Sequence, residues 1–128
     1  MDRLKKRAEF VETAKGARLH AGAFSLQARR RGSAGGGPRF GFTVTKKTGN
    51  AVERNRIRRR LKAAATQVSM SADAGIDYVL IGRRRALSVS YDQLCDSLEK
   101  ALLSIDPDKL TRRKPSKAAD KTRQTQGT

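Results

Sequence analysis

The sequence has no tryptophan, one cysteine, one histidine and three prolines, and it sets only 12 acidic residues against 29 Lys and Arg. Each scarcity excludes something. The lone Cys95 rules out an internal disulfide and suits a reducing compartment. A structural zinc site takes four Cys or His ligands, and Cys95 and His20 are the whole supply. No metal ligands are therefore assigned. Catalytic side chains are likewise none: His20 falls in an expected strand, and nothing in the sequence orients it. No apolar run approaches the roughly 20 residues of a membrane span. The opening residues, MDRLKKRAEF, are charged and lack the apolar centre of a signal peptide. The expected location is the cytoplasm, with no membrane partner. Neither GxxxxGK(S/T) nor GxGxxG occurs. The glycine-rich stretch GSAGGGP at residues 32–38 lacks the Lys-Ser/Thr of a phosphate loop and is taken as a hairpin loop. No small-molecule substrate is expected.

What is present is charge. The chain of 128 residues carries a formal net charge of +17. A compact protein at that charge repels itself, and a polyanionic partner is the natural explanation. Nucleic acid leads, with an anionic membrane surface as the rival. Hydrophobic residues make up 37% of the chain, enough for one modest core. One domain is expected over residues 1–105. The polar, basic remainder, 106–128, has almost no large apolar groups and is expected to be a disordered tail.

Periodicity places the elements. Residues 3–15 suggest a helix with Leu4, Ala8, Val11 and Ala14 on its inner stripe, stopped at Gly16. In residues 19–29, Phe24, Leu26 and Ala28 alternate with Ser25, Gln27 and Arg29, as in a strand with one apolar face. A second alternation sets Phe40, Phe42 and Val44 against Arg39, Gly41, Thr43 and Thr45. The two strands are expected to form an antiparallel hairpin. Residues 76–82, IDYVLIG, are almost continuously apolar, as for a strand covered on both faces. Ser90 and Gln93 form a capping box for a last helix, with Leu94, Leu98, Ala101, Leu102 and Ile105 as its stripe. The order is α-β-β-α-β-α: an α+β two-layer sandwich with three or four strands and helices on one face.

The most informative segment is residues 46–62, KKTGNAVERNRIRRRLK, which offsets its Lys and Arg with a single acid, Glu53. Asn50 is an N-cap residue and Glu53 stands in capping-box position. At 100° per residue, Ile57, Leu61, Ala64 and Val68 fall within about 60° of one another and form a core-facing seam. Asn55, Arg56, Arg58, Arg59 and Lys62 point away from it. Arg54 and Arg60 flank it, with stems able to cover apolar surface. Guanidinium forks can grip two phosphate oxygens at once. Free N–H groups at Gly49 and Asn50, backed by the helix dipole and by Lys46 and Lys47, would add an anion site. A merely solvated face would alternate its charges to gain i,i+4 pairs, and only Glu53 could supply one.

At this point the residues resemble a family. GNAVERNRIRRRLK, preceded by FGFTVTKK, is similar to the signature of the bacterial ribonuclease P protein component, whose core Arg-Asn-Arg triplet corresponds to Arg54-Asn55-Arg56. LKKRAEF at residues 4–10 and IDYVLIGRR at residues 76–84 extend the likeness to about 100 residues, 4–103. The resemblance implies a mixed sheet with a left-handed crossover, as in a domain of a small-subunit ribosomal protein. It implies a subunit of an endonuclease whose catalytic partner is RNA, which cuts precursor tRNA to release the 5′ leader. The Mg²⁺ would be held mainly by that RNA. RNA-contacting residues would be Lys46, Lys47, Asn50, Arg54, Asn55, Arg56, Arg58, Arg59, Arg60 and Lys62. The leader would lie in a cleft between the first helix and the sheet, with Phe10 as a stacking platform and Lys6, Arg7, Thr43 and Thr45 around it. Relatives often carry a second aromatic one turn after the first. Here that region is Val11 to Ala14, with no ring, and Gln27 stands where some relatives have an aromatic.

Three other functions compete. A general RNA-binding or ribosomal protein of similar fold would share the basic helix but not the linked block from Lys46 to Arg56. A self-sufficient nuclease would need grouped carboxylates for two metals, and Asp73, Asp77 and Asp92 are scattered. A membrane binder would expose bulky apolar groups opposite the charge, whereas Ile57 and Leu61 are better explained as core.

Overall fold

A computed structural model describes residues 2–31 and 36–107. The expected tail therefore falls almost wholly outside the described residues. The elements are β1 (Asp2–Arg3), α1 (Arg7–Ala14), β2 (Ala17–Ala21), β3 (Phe24–Arg30), β4 (Arg39–Thr43), α2 (Ala51–Gln67), β5 (Ile76–Gly82) and α3 (Tyr91–Ser104). The expected α+β architecture and mixed sheet are both present.

The sheet order is β1-β4-β5-β3-β2. β5 runs parallel to β4, which it follows through α2, and antiparallel to β3. The antiparallel hairpin expected between the alternating strands is absent, because β5 lies between them. Its sequence explains this. β3 and β4 each have one apolar and one polar face, whereas six of the seven residues of β5 are buried. The strand that is apolar on both sides takes the centre, where both faces are covered. β3 and β4 are therefore not hairpin partners, and residues 32–35 of the expected hairpin loop lie outside the described residues. The other expected single strand, residues 19–29, is itself folded in two. Gly22, at φ 53°, turns the chain between β2 and β3. A residue with a Cβ is disfavoured there.

α2 and α3 pack on one sheet face. Between them and the sheet lies the core, built on Phe24, Leu26, Phe40, Phe42, Tyr78 and Leu80 with Ile57, Leu61, Leu94 and Leu98. Phe40 stacks on Tyr78 with centroids 5.2 Å apart. Both capping boxes form: Asn50 with Glu53, and Ser90 with Gln93. Such a cap is worth about 1 kcal/mol to its helix. α2 comes so close to β5 that a Cβ on Gly82 would stand 2.5 Å from Ile57 Cγ2.

α1 departs from the expectation of helices on one face, for it lies on the opposite side of the sheet. The helix starts at Arg7, so Leu4 precedes it; Leu4 is buried where its N–H bonds the Phe40 carbonyl at 2.9 Å. Ala8 and Val11, expected inside, are exposed. Thr13 is buried instead, its hydroxyl satisfied by the Glu9 carbonyl at 2.8 Å, and Phe10 and Ala14 are half-buried beside it. The polar sheet face selects this side of the helix: Arg39 draws Glu9 toward it, and Gly41 leaves room for the Phe10 ring.

Candidate nucleic-acid interface

The outer face of α2 presents the first surface. Lys46, Lys47, Asn50, Asn55, Arg56 and Arg59 are exposed, and Arg54, Arg58 and Lys62 are half-buried. The inner seam is Ile57, Leu61, Ala64 and Ala65, with Val68 only half-buried. Arg58 donates to Asn55 Oδ1 at 2.7 Å, which holds one guanidinium over the middle of the helix. Arg54 Nε donates to the Gly49 carbonyl at 3.1 Å and so braces the helix start. Arg60 differs from the expectation. It turns inward to donate to the Val89 carbonyl ahead of α3, and its Nε is buried without a hydrogen-bond partner among the described residues. That guanidinium ties α2 to the loop before α3 and is withdrawn from the outer face.

The anion site expected at the α2 N-terminus is also not formed. Glu53 Oε1 takes the Asn50 N–H at 3.0 Å, and its other oxygen pairs with Arg84 at 2.6 Å. The hydrogen bond from Arg84 and that from the Asn50 backbone hold the Glu53 carboxyl down to about 2. The helix N-terminus therefore faces a permanent carboxylate of its own. Gly49 is required by this arrangement, since a Cβ there would meet Glu53 Oε1 at 2.5 Å and Arg84 Nη1 at 2.9 Å. Arg84 joins the 3₁₀ turn Arg84–Leu87 to the start of α2. Its part in organising this end was not legible from a run of three arginines, Arg83-Arg84-Arg85, following a strand.

The second surface lies between α1 and the sheet. Strand register sorts the polar sheet face into three rows. Arg39, Asp77 and Arg29 form the first; Gly41, Val79, Gln27 and Arg18 the second; Thr43, Ile81, Ser25 and His20 the third. α1 covers the first two. A groove of about 560 Å³ opens beside it, with Phe10 on its wall and Gln27, Thr43, Val79 and Ile81 on its floor. Lys5 and Arg7 stand at its rim. A Cβ on Gly41 would lie 2.5 Å from the Phe10 ring, so this glycine lets the aromatic come up against the strand. Val79 and Ile81 were missed as floor residues because a doubly buried strand shows no alternation. Among the expected groove residues, Arg7, Phe10 and Thr43 line it. Lys6 lines a smaller neighbouring pocket with Arg3, Lys5, Glu9 and Arg39. Thr45 is exposed beyond the strand, at the 3₁₀ turn Lys46–Thr48 that leads to α2.

The first row holds α1 in place. Asp77, though buried, accepts from Arg31 at 2.6 Å and from Arg39 Nε and Nη2, each at 2.8 Å. Arg39 Nη1 reaches Glu9 of α1 at 3.0 Å. Burial pushes the Asp77 carboxyl up, but the hydrogen bonds and charges of Arg39 and Arg31 outweigh it and hold the group below its usual range. Glu9 is lowered too, first by the backbone N–H groups of Lys6 and Lys5.

The two surfaces are thus an arginine-surfaced helix and an aromatic-walled groove, and among the described residues no His, Cys, Asp or Glu group is placed to hold a metal. Comparison with known proteins supplies the family. The family model for ribonuclease P matches residues 1–106. The chain belongs to the ribonuclease P protein component family. A ribonuclease P protein component from Ruegeria pomeroyi is 45% identical over 105 residues, covering 80% of this chain and 84% of the relative. One from Brucella suis is 41% identical over 108 residues, covering 78% and 77%. The RNase P protein of Staphylococcus aureus superposes with a TM-score of 0.67 at 30% identity, over 80% of this chain and 93% of that one. That of Thermotoga maritima shares the fold, with a TM-score of 0.70 at 24% identity, over 83% and 99%. The chain is thus a subunit of ribonuclease P, the tRNA-processing endoribonuclease. Among the described residues, no helix is long and apolar enough to cross a membrane.

Proposed function

We propose that the protein performs no hydrolysis itself and works by holding two RNAs, the catalytic RNA of ribonuclease P on the outer face of α2 and the 5′ leader of precursor tRNA in the groove beside α1. The observation that carries this reading is the uneven use of cations. On α2, Arg56 and Arg59 are exposed and pair with no carboxylate among the described residues. Their charge is available to neutralise phosphates and release counterions. The groove instead offers an aromatic wall and a polar floor, which suits single-stranded nucleotides that stack as well as pair with charge. The Mg²⁺ needed for cleavage belongs to the RNA in this reading, and it would supply an activated water and stabilise the leaving oxygen. The protein residues lower the electrostatic cost of bringing two polyanions together and fix where the leader runs. Cytoplasmic location follows from the tRNA substrate.

Reconstitution tests this. Purified protein with Mg²⁺ is expected to leave precursor tRNA intact, and addition of the cognate catalytic RNA at low Mg²⁺ is expected to give leader release. Cleavage by the protein and metal without RNA would overturn the proposal.

A further inference from the structure

The turn that carries Lys46 and Lys47 is pinned from more than one side, and a carboxylate completes the pinning. The 3₁₀ turn Lys46–Thr48 lies between the end of β4 and the start of α2. It closes on itself, with the Thr48 N–H on the Thr45 carbonyl at 3.0 Å and the two threonine hydroxyls 3.3 Å apart. α2 holds the residue after it, where Arg54 Nε donates to the Gly49 carbonyl at 3.1 Å. Arg84, from the segment that follows β5, holds the turn itself: its Nη1 donates to the Thr48 carbonyl at 3.1 Å. Glu53 fixes Arg84 in that position. One carboxylate oxygen takes Arg84 Nη2 at 2.6 Å, and the other takes the Asn50 N–H at 3.0 Å. A single acid thus ties together the lysine turn, the start of α2 and the 3₁₀ turn Arg84–Leu87. Lys46 and Lys47 stay exposed on the turn, and neither pairs with a carboxylate among the described residues.

We propose that Glu53 is a positioning residue for the catalytic RNA: by fixing Arg84 across the Thr48 carbonyl, it holds Lys46 and Lys47 in place relative to Arg56 and Arg59, so that turn and helix meet the phosphates as one rigid surface. The inference rests on the reading of the outer face of α2 as the surface for that RNA, and it gives the one acid of the segment a part in binding. It runs against bare electrostatics. An acid within a basic surface repels phosphates, and its removal from a chain of net charge +17 would by charge alone tighten RNA binding. Here both of its oxygens are covered by donors of the protein, which weakens its outward field. Against the remaining repulsion stands preorganisation. A turn and two lysines already held in their bound arrangement lose less conformational freedom on binding than a loose segment does.

Glu53→Gln separates the two tasks of this side chain. Gln serves a capping box as Glu does, so the cap on α2 is kept, while the charge opposite Arg84 is lost. Affinity of the full chain for the cognate catalytic RNA is measured over a range of salt, at a temperature where every variant is folded by circular dichroism. Glu53→Gln is expected to bind several-fold more weakly than the native protein, although it carries more positive charge. Its slope of log affinity against log salt should fall toward that of Lys46→Ala/Lys47→Ala. Added to Lys46→Ala/Lys47→Ala, the same substitution is expected to have no further effect, because the residues that Glu53 positions are gone. Unchanged or tighter binding by Glu53→Gln would overturn the proposal and leave Glu53 as a cap alone. An equal loss with and without the two lysines would overturn it as well, since a general weakening of the fold acts in either background. Failure of the underlying reading looks different: Arg56→Ala/Arg59→Ala would then bind the RNA as the native protein does, and the positioning role would fall with the surface.

Discussion

The outer face of α2 and the α1 side of the sheet are both rich in arginine, yet they spend it differently. On α2 the only acid in the first turn, Glu53, is turned to the helix start and to Arg84, while Arg56 and Arg59 pair with no acid among the described residues. On the α1 side, Arg39 is divided between Asp77 and Glu9, Arg31 bonds Asp77, and Arg29 lies 3.7 Å from Glu12. Counting cations in the sequence does not separate the two groups. What separates them is whether strand register or helix phase brings a carboxylate alongside. One set of guanidiniums is architecture and the other is surface, and substitutions should tell them apart.

The largest effect is expected at Asp77. Asp77→Ala leaves Arg31 and Arg39 facing each other across a buried site, and removing one partner of a buried pair costs about 3–5 kcal/mol. Thermal unfolding should report a fall of that order, and α1 should lose hydrogen-exchange protection first, because Arg39 no longer has a fixed position from which to hold Glu9. Acidification acts on the same contact. The folded Asp77 carboxyl lies below its usual range. Its contribution is therefore complete above the ordinary carboxylate range and is lost as pH falls through the lower folded value. Asp77→Asn should accordingly show a smaller stability change over that acid range than the native chain. An Asp77→Ala variant as stable as the native protein would place these arginines with the available set on α2 and remove the distinction.

Phe10 comes next, where architecture and surface meet in one ring. It packs on Gly41 and lines the groove. Loss of a stacked base costs about 1–3 kcal/mol of nucleic-acid affinity. Phe10→Ala in the reconstituted holoenzyme should reduce the preference for precursor over mature tRNA by that amount. Phe10→Leu keeps much of the apolar contact with Gly41 and lacks the π face, so it should keep most of the stability and still lose the preference. If Phe10→Leu binds precursor as well as the native protein does, the ring is packing only.

How much of this was legible in the sequence depends on where the determining interaction lies. The α2 seam, its N-cap at Asn50 and the α3 cap at Ser90 are local, set by residues three or four apart, and they stand where periodicity placed them. The family block around Arg54-Asn55-Arg56 was legible for the same reason. The β3–β4 hairpin was wrong because alternation shows which face a residue takes but not which strand lies next to it. That neighbour is β5, whose Asp77 pairs with Arg39 from 38 residues further along the chain. α1 was misphased because its inner face is chosen by Arg39 and Gly41 on a distant strand, not by its own weak apolar pattern. Arg60 could not be told from Arg59 by charge. Its inward turn depends on the Val89 carbonyl, which only the fold brings near.

The smallest effect on stability, and the sharpest test of the comparison, is expected at Arg56 and Arg59. Both are exposed and paired with no acid among the described residues. Surface substitutions away from caps, core and buried networks usually change stability by within about 0.5 kcal/mol. Arg56→Ala/Arg59→Ala should therefore unfold at nearly the native temperature, against the large loss at Asp77. Binding to the catalytic RNA should still weaken, and the slope of log affinity against log salt should fall by about one for each phosphate contact removed. Arg60→Ala is the contrasting variant on the same helix. Its guanidinium is spent on the Val89 carbonyl, so it should lose stability and leave the salt slope unchanged. A drop in slope at Arg60 equal to that at Arg56 and Arg59 would mean that the guanidinium leaves Val89 for RNA in the complex. An unchanged slope for the double variant would mean that the outer face of α2 is solvated surface, whatever its charge.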